Sequence, residues 1–207
     1  MGLLSFVPPR LRSTVELLLT LAVAGGIAYL AQAYVVKPYV VPTGSMIPTL
    51  KPYDRLIADR LTLDFRNPER GEIVVFHPPL CKPGLNQTEA GGDFCDTPDV
   101  TARVGPSSTA FVKRVIGLPG ETLWTAGNHV YVKQVNGKVI VLHEPYLENG
   151  DAGQIDGQVH VPKGMYFMMG DNRASSDDSR QWGPEPRGWM IGIARVRYWP
   201  LDRIGLL

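Results

Sequence analysis

An uncharged apolar stretch near the N-terminus constrains the fold of this chain more than any other feature. Leu17–Val36 comprises twenty residues without a charge, interrupted by the polar side chains of Thr20 and Gln32. A helix rises about 1.5 Å per residue, so this length crosses a hydrocarbon core of about 30 Å. We therefore predict a transmembrane helix at residues 14–36, after a short N-terminal tail at residues 1–13.

A cleaved signal peptide is the alternative interpretation of the same stretch. Arg10 and Arg12 would form its basic region, Leu17–Leu30 its apolar region, and Ala31-Gln32-Ala33 has the form of a small-x-small cleavage site. Basic residues flank the stretch on both sides, so charge alone does not fix the orientation of a membrane helix. Whether the chain is cut at this site stays open.

Composition excludes several classes of protein. The 207 residues include 21 basic and 20 acidic side chains, a formal net charge of +1, whereas nucleic-acid-binding proteins usually carry a clear basic excess. Two cysteines are too few for a disulfide scaffold or a four-cysteine zinc site, and the four histidines show no metal-ligand spacing. We therefore predict no nucleic-acid partner, no metal and no cofactor.

Residues 37–207 are predicted to form a mainly antiparallel β-structure. Eighteen prolines and 22 glycines favour many turns and short strands, and Asn136-Gly137 between two apolar runs is a strong hairpin signal. Apolar and β-branched runs predict strands at Arg55–Asp59, Glu72–Phe76, Ala110–Ile116, Val130–Val135, Val139–Leu142, Met165–Met169 and Gly192–Tyr198.

Residues 77–109 are predicted to form a long surface loop. They contain many prolines and glycines, few large apolar side chains and both cysteines of the chain. A disulfide between Cys81 and Cys95 would indicate an oxidising compartment. Two unpaired thiols are the alternative.

Ser45 lies in a constrained turn shortly after the apolar stretch. Pro42, Gly44 and Pro48 surround it, and such a turn can expose the serine hydroxyl together with nearby backbone N–H groups. A serine in this setting is also common as an ordinary turn residue, and the motif differs from the GxSxG elbow of α/β-hydrolases. The turn alone therefore leaves the role of Ser45 open.

Lys113 lies within an apolar strand. Strand alternation puts it on the same face as Phe111 and Val115, with Arg114 on the opposite face. Burial among apolar side chains disfavours the charged form, so the pKa of Lys113 should fall and the neutral amine could act as a general base. The alternative is a lysine whose ammonium group reaches solvent from a half-exposed strand.

The third candidate segment is Gly170–Arg180, which is dense in short hydrogen-bonding side chains. These side chains can cap turns, or can hold and orient a nearby cation. A calcium-binding loop is disfavoured because Arg173 and Ser175 stand where the EF-hand pattern requires oxygen ligands.

Taken together and in this order, these features resemble type I signal peptidases (leader peptidases), the membrane-anchored serine proteases that remove signal peptides from exported proteins. The resemblance extends from the apolar stretch to the C-terminus. The segments that carry it are Ser45–Leu50, Arg70–Phe76, Phe111–Glu121, Gly170–Arg180, Trp182–Pro184 and Arg197–Pro200.

The resemblance implies a serine–lysine dyad. In it Ser45 is the nucleophile and Lys113 the general base, so no histidine is required. Thr43 stands where the family often has a serine that helps to stabilise the oxyanion, and Ser176 matches the serine that orients the lysine. The other implied roles are a structural ion pair, formed by Asp178 and Arg180, and a substrate cleft lined by Tyr39, Val41, Met46, Leu50, Phe111 and Val112.

The resemblance also implies the biological setting. Family members bind the preprotein as an extended strand and cleave after small residues at positions −3 and −1. The expected partners are secretory preproteins and the lipid bilayer, close to the secretion translocon. We expect a single-pass protein of the bacterial cytoplasmic membrane with residues 37–207 as an extracytoplasmic catalytic domain. Residues 124–162 leave room for a small inserted β-hairpin subdomain.

Two rival functions follow from the same residues. Self-cleaving repressors also use a serine–lysine pair, but they carry a DNA-binding head where this chain has an apolar stretch. A catalytically inactive, membrane-anchored β-domain that binds exported segments is the other rival. The presence of Ser45, Lys113 and Ser176 argues against it.

Overall fold

The computed structural model of the chain describes residues 8, 11–30, 35–81 and 103–207. Its N-terminal element is the helix α1 (Arg12–Leu30), whose described side chains are exposed apart from half-buried Val15. Judged by length and hydropathy, none of the helices in these ranges qualifies as a membrane-crossing segment. Two further α-helices lie in the described ranges, α2 (Leu61–Phe65) and α3 (Ser179–Trp182).

The predicted helix at residues 14–36 differs from the observed element at its C-terminal end. Residues 31–34, which include the whole of the possible cleavage site Ala31-Gln32-Ala33, lie outside the described residues. Strand β1 (Val36–Val40) begins at the last residue assigned to the predicted helix. Pro38 explains this limit, because proline lacks an N–H group and favours an extended conformation in the residue before it.

One antiparallel sheet forms the body of the molecule. Its path runs β1-β2-β13-β3-β6-β11-β12, and β14 pairs with β13 beside that path. The strands that follow β1 are β2 (Arg55–Asp59), β3 (Ile73–Phe76), β6 (Phe111–Gly117), β11 (Met165–Met169), β12 (Glu185–Pro186), β13 (Met190–Trp199) and β14 (Gly205–Leu206). The predicted mainly antiparallel β-class is therefore confirmed.

Apolar side chains from both faces of this sheet make the core. One cluster includes Phe76, Tyr166 and Trp182, and another includes Met46 and Leu56. Each fully buried side chain of this size contributes about 1.5–3 kcal/mol relative to an exposed one. The central strand β6 lies between β3 and β11, so its backbone is held on both sides where Lys113 projects.

A second, four-stranded sheet lies between β6 and β11 in the sequence. Its order is β10-β7-β8-β9, formed by β7 (Thr122–Ala126), β8 (His129–Lys133), β9 (Val139–Val141) and β10 (Val159–His160). Strands β8 and β9 are antiparallel neighbours joined through Asn136-Gly137, with Gly137 at φ +84°. The predicted hairpin is thus confirmed. Glycine suits this turn because it adopts a positive φ readily.

The predicted surface loop at residues 77–109 contains regular structure at both of its ends. Strands β4 (Pro79–Cys81) and β5 (Arg103–Pro106) pair antiparallel and bring these ends together. Residues 82–102 lie outside the described residues, and so do Cys95 and the side chain of Cys81. The possible disulfide between them therefore falls outside the part of the chain that the structure describes.

Candidate active site

The folded chain brings Ser45 and Lys113 into direct contact. Lys113 Nζ donates a hydrogen bond to Ser45 Oγ over 2.6 Å, although 68 positions separate the two residues. Lys113 projects from the centre of β6, and Ser45 lies in the turn that follows β1. Both residues are buried. A buried amine in hydrogen-bond contact with a serine hydroxyl is the arrangement needed to remove the hydroxyl proton.

Burial sets the proton affinity of Lys113. Desolvation lowers the pKa of its amine from 10.5 to about 8, and the negative charge of Asp178 partly opposes this effect. The side chain is 3% exposed and its Nζ lies 5.4 Å from the centre of the Phe111 ring. Neutral amine is therefore available near neutral pH, as a general base requires.

The turn that carries Ser45 is held by the segment after β11. The backbone N–H of Asn172 donates to the Ser45 carbonyl over 3.0 Å, and its side-chain amide donates to the Gly44 carbonyl over 3.1 Å. On the cleft side, Thr43 Oγ1 donates to Ser45 Oγ over 3.4 Å. The predicted oxyanion residue Thr43 is thus adjacent to the hydroxyl of Ser45.

Asp178 organises the end of the Gly170–Arg180 segment. Its fully buried carboxylate accepts two bonds from the Arg180 guanidinium, each 2.9 Å long, and one from Ser176 Oγ over 2.8 Å. It also accepts from the Gly170 N–H over 2.9 Å and caps the first turn of α3. The predicted ion pair between Asp178 and Arg180 is therefore present.

Ser176 has a different hydrogen-bond partner from the predicted one. It lines the same cleft as Lys113, but among the described residues Lys113 donates to Ser45 while the Ser176 hydroxyl donates to Asp178. The Arg180 guanidinium holds the Asp178 carboxylate in position to accept this bond. Ser176 and Lys113 thus line one cleft, and each donates its hydrogen bond to a different residue.

A cleft of about 770 Å³ opens over the serine–lysine pair. It is lined by the two residues of the pair and by four of the six predicted cleft residues, Tyr39, Val41, Phe111 and Val112. Met46 and Leu50 do not reach it. Both are fully buried in the core cluster beneath the Ser45 turn, because the turn points its polar side chains outward and its long apolar side chains inward. Their predicted place in the cleft is thus wrong in this structure.

Two residues that support the site were assigned no role from the sequence. Arg114, on the opposite face of β6 from Lys113, forms two hydrogen bonds of 2.8 and 2.6 Å to the buried carboxylate of Asp171. Tyr146 stacks on this guanidinium at 3.8 Å from its ring centre. The sequence signal for this role was the position of Arg114 in an otherwise apolar strand. A charged side chain buried in such a strand needs a partner. Asn172 is the other residue, through the bonds described above.

The described residues contain no group of three or more metal-binding side chains that could hold an ion. Two arginines that line the cleft form ion pairs, Arg173 with Glu144 and Arg180 with Asp178. The reactive groups that the fold brings together there are the Ser45 hydroxyl and the Lys113 amine.

Comparison with known proteins identifies the family. The family model for signal peptidases, peptidase S26, matches residues 14–199. A "probable signal peptidase I-2" of Synechocystis sp. is 38% identical over 97% of this chain and 79% of its own length. A signal peptidase I of Leptolyngbya laminosa is 39% identical over 85% of this chain and 75% of its own length.

A solved signal peptidase I from Enterococcus faecalis V583 covers 62% of this chain and 97% of its own, at 26% identity and a TM-score of 0.39. The assignment rests on the sequence matches, which extend over nearly the whole chain at 38–39% identity. They cover the turn with Ser45, the strand with Lys113 and the Gly170–Arg180 segment. The chain belongs to the S26 family of signal peptidases.

Proposed function

We propose that this chain is a signal peptidase I, an endopeptidase that removes N-terminal signal peptides from exported preproteins. The observation that carries the proposal is the 2.6 Å contact between Ser45 Oγ and the amine of a lysine that is 3% exposed. Membership of the signal peptidase family supports the choice of substrate. The cleaved bond follows small residues at positions −3 and −1.

The catalytic cycle starts with neutral Lys113. Its amine accepts the Ser45 proton while Ser45 Oγ attacks the scissile carbonyl, which forms a tetrahedral oxyanion. The Ser45 N–H and the Thr43 hydroxyl donate hydrogen bonds to this oxygen. Lys113 then protonates the leaving amine as the peptide bond breaks. Water, deprotonated by Lys113, hydrolyses the acyl-enzyme and restores the Ser45 hydroxyl.

Ser176 and Asp178 keep the lysine in place during this cycle. Asp178 holds the Ser176 hydroxyl, and its charge offsets part of the desolvation of Lys113. When Lys113 becomes an ammonium group it has three N–H donors, and Ser176 in the same cleft is a suitable acceptor for one of them. Ser176 is therefore a lysine-orienting residue in this proposal.

The substrate binds as an extended strand beside β1. This strand lies at one end of the sheet path, so one of its edges has no neighbouring strand among the described residues. Main-chain hydrogen bonds along such an edge give affinity, and pockets for alternate side chains give specificity. The walls that restrict the −1 and −3 side chains are apolar and come from Val41, Phe111 and Val112.

The N-terminal region anchors this catalytic domain, residues 37–207, to the membrane. The exposed leucines of α1 and the continuous apolar sequence to Val36 support an anchor over residues 14–36. Ser45 lies nine positions after Val36, a distance of at most about 30 Å for extended chain. The site therefore lies near the bilayer surface, on the extracytoplasmic side of a bacterial cytoplasmic membrane and close to the translocon, where preproteins emerge.

Peptide cleavage tests the proposal. The full chain in detergent is incubated with a synthetic peptide that carries alanine at −3 and −1, alongside Ser45→Ala and Lys113→Met. Wild type should cut after the −1 alanine, and both variants should lose activity by about 10⁴-fold or more, because the two residues act as a unit. Absence of cleavage by folded wild type, for this peptide and for a full preprotein in vesicles, would contradict the proposal and favour a binding domain.

A further inference from the structure

The two peptide units that flank Ser45 are both held by one residue, Asn172. Its side-chain amide donates to the Gly44 carbonyl over 3.1 Å, and its backbone N–H donates to the Ser45 carbonyl over 3.0 Å. The Gly44 carbonyl also accepts from the Ile47 N–H over 3.1 Å. The backbone on either side of the nucleophile is thus held from outside the turn by Asn172, and Ile47 adds a second donor to the Gly44 carbonyl from within the turn.

The first of these bonds fixes the direction of the Ser45 N–H. In a trans peptide the carbonyl and the N–H of one unit point in opposite directions, and the peptide between Gly44 and Ser45 is trans. Two donors hold its carbonyl on the side of Asn172 and Ile47. The Ser45 N–H must therefore point away from them. Within the described part of the chain it donates to no protein acceptor.

The segment after β11 approaches the Ser45 turn closely, and this allows Asn172 to form both hydrogen bonds. Gly170 packs against the Ser45 carbonyl and the Ser176 hydroxyl so tightly that a Cβ atom at this position would overlap both. Only two residues further on, Asn172 reaches the Gly44 carbonyl. Its neighbour Asp171 is anchored by Arg114, so the segment cannot shift without breaking a buried ion pair.

From this geometry we infer that Asn172 is the positioning residue of the oxyanion hole. It acts through the Gly44–Ser45 peptide, aiming the Ser45 N–H at the oxygen that becomes negative in the transition state. This inference rests on the proposed function, in which that N–H is an oxyanion donor. Preorganised donors stabilise the transition state without reorienting during the reaction, so a loosened peptide would slow the chemical step and leave substrate binding intact.

The test uses Asn172→Asp and Asn172→Ala, which both remove the amide donor and keep the backbone N–H. Only the first adds a charge, so a loss shared by both is due to the missing donor. Asn128→Asp is the matched control: the amide of Asn128 donates to the Gly150 carbonyl over 2.7 Å, in the second sheet. Folding of each variant is checked by thermal unfolding.

Two measurements separate positioning from general damage. The first is kcat and KM for the alanine peptide as a function of pH. The second is the affinity of a peptide aldehyde with alanine at −1, which forms a tetrahedral adduct with the serine and places an oxygen in the oxyanion hole. We expect both Asn172 variants to lose about tenfold to 100-fold in kcat and in aldehyde affinity, with KM and the pKa of the acid limb unchanged in Asn172→Ala.

The control Asn128→Asp should match wild type in both measurements. Unchanged kcat and aldehyde affinity in the Asn172 variants would overturn the inference. A loss in Asn172→Ala that appears as a shifted pKa or as a raised KM would also overturn it, since Asn172 would then act through Lys113 or through substrate binding. If wild type neither cuts the peptide nor binds the aldehyde, the proposed function itself fails.

Discussion

The buried Lys113 carries a cost in stability that its proposed catalytic role explains. The pKa of Lys113 falls to about 8 because its amine is desolvated, whereas a lysine in the unfolded chain has a pKa of 10.5. Between these pH values the unfolded chain binds more protons, so the free energy of unfolding rises with pH across this window. Below it, the folded protein bears the full cost of a buried ammonium group.

Replacing Lys113 by methionine should therefore stabilise the protein at neutral pH. The pKa shift in the wild type corresponds to at most about 3 kcal/mol. We expect Lys113→Met to raise the free energy of unfolding at pH 7 by up to this amount and to lose its advantage as the pH approaches 10.5. Denaturant titrations of the full chain in detergent at pH 7 and pH 10 measure both values. A destabilised variant at pH 7 would contradict this explanation.

The same pKa predicts the pH dependence of activity. Since Lys113 must be neutral to accept a proton, kcat/KM should rise about tenfold per pH unit below pH 8 and level off above it. Initial rates with the alanine peptide from pH 6 to pH 10 give the profile. An acid limb with a pKa near 6.5, which is typical of histidine, would argue for a different base.

At the residue scale, the sequence predicted the two reactive residues better than it predicted the side chains around them. The local sequence around Ser45 and around Lys113 left both roles open, and the dyad followed only from the order of several segments that together resemble the signal peptidases. Met46 and Leu50 were assigned to the cleft and lie in the core instead, since adjacent residues of an irregular turn follow no simple alternation. The hydrogen bonds of Asn172 join positions 128 apart in the sequence, and local patterns contain no information on such contacts.

At the scale of elements, the junction between β11 and the following segment is the least tolerant part of the site. Gly170 follows the strand directly, and a Cβ atom at this position would overlap both the Ser45 carbonyl and the Ser176 side chain. Strand β6, which pairs with β11, carries Lys113 and Arg114. The position of the end of β11 therefore sets the distances between Lys113, Ser45 and the Gly170–Arg180 segment.

Gly170→Ala should abolish activity and destabilise the fold. The added Cβ would overlap the Ser45 carbonyl and the Ser176 hydroxyl, and overpacking of this kind costs about 1–3 kcal/mol. Thermal unfolding and peptide cleavage measure the two effects. Gly188→Ala is the matched control, because a Cβ there meets no atom within 4 Å. Equal activity in the two variants would show that the junction is more adaptable than its packing indicates.

Element predictions succeeded where local sequence alone determines the structure. The β8–β9 hairpin follows from Asn136-Gly137, and the strands Arg55–Asp59 and Met165–Met169 have the predicted bounds. Strand β7 was missed, because its residues alternate poorly and its stability comes from pairing with β8 and β10. The ladder of β4 and β5 was missed for a related reason: its strands are short and lie more than twenty positions apart.

At the scale of the whole molecule, the proposed membrane anchor can be tested separately from catalysis, because the described side chains of α1 are exposed apart from Val15. Leu18 and Val23 are 60% and 56% exposed, so the catalytic domain does not depend on them for packing. The double variant Leu18→Glu, Val23→Lys should release the protein from membranes during an alkaline wash. Each charge at the centre of a spanning helix costs about 2.5–3.5 kcal/mol.

Cleavage of the alanine peptide in detergent should remain unchanged in this double variant. The matched control is Val135→Glu, Val139→Lys, which places the same charges on exposed residues of the second sheet and its hairpin turn. That control should stay in the membrane fraction. Retention of both variants would indicate that residues outside α1 hold the protein at the bilayer.

The pairing register between β3 and β6 determines what a misfolded molecule of this chain would look like. Val74 pairs with Lys113 and Ile73 with Arg114, and successive side chains of β6 point to opposite faces. A slip of one residue that pairs Arg114 with Val74 would move Lys113 out of the site and put a guanidinium beside Ser45. Arginine stays protonated in proteins, so such a molecule would keep a sheet-rich, compact form without any proton acceptor. Compactness and secondary structure are therefore poor measures of correct folding for this enzyme, and titration of the active serine is the appropriate one.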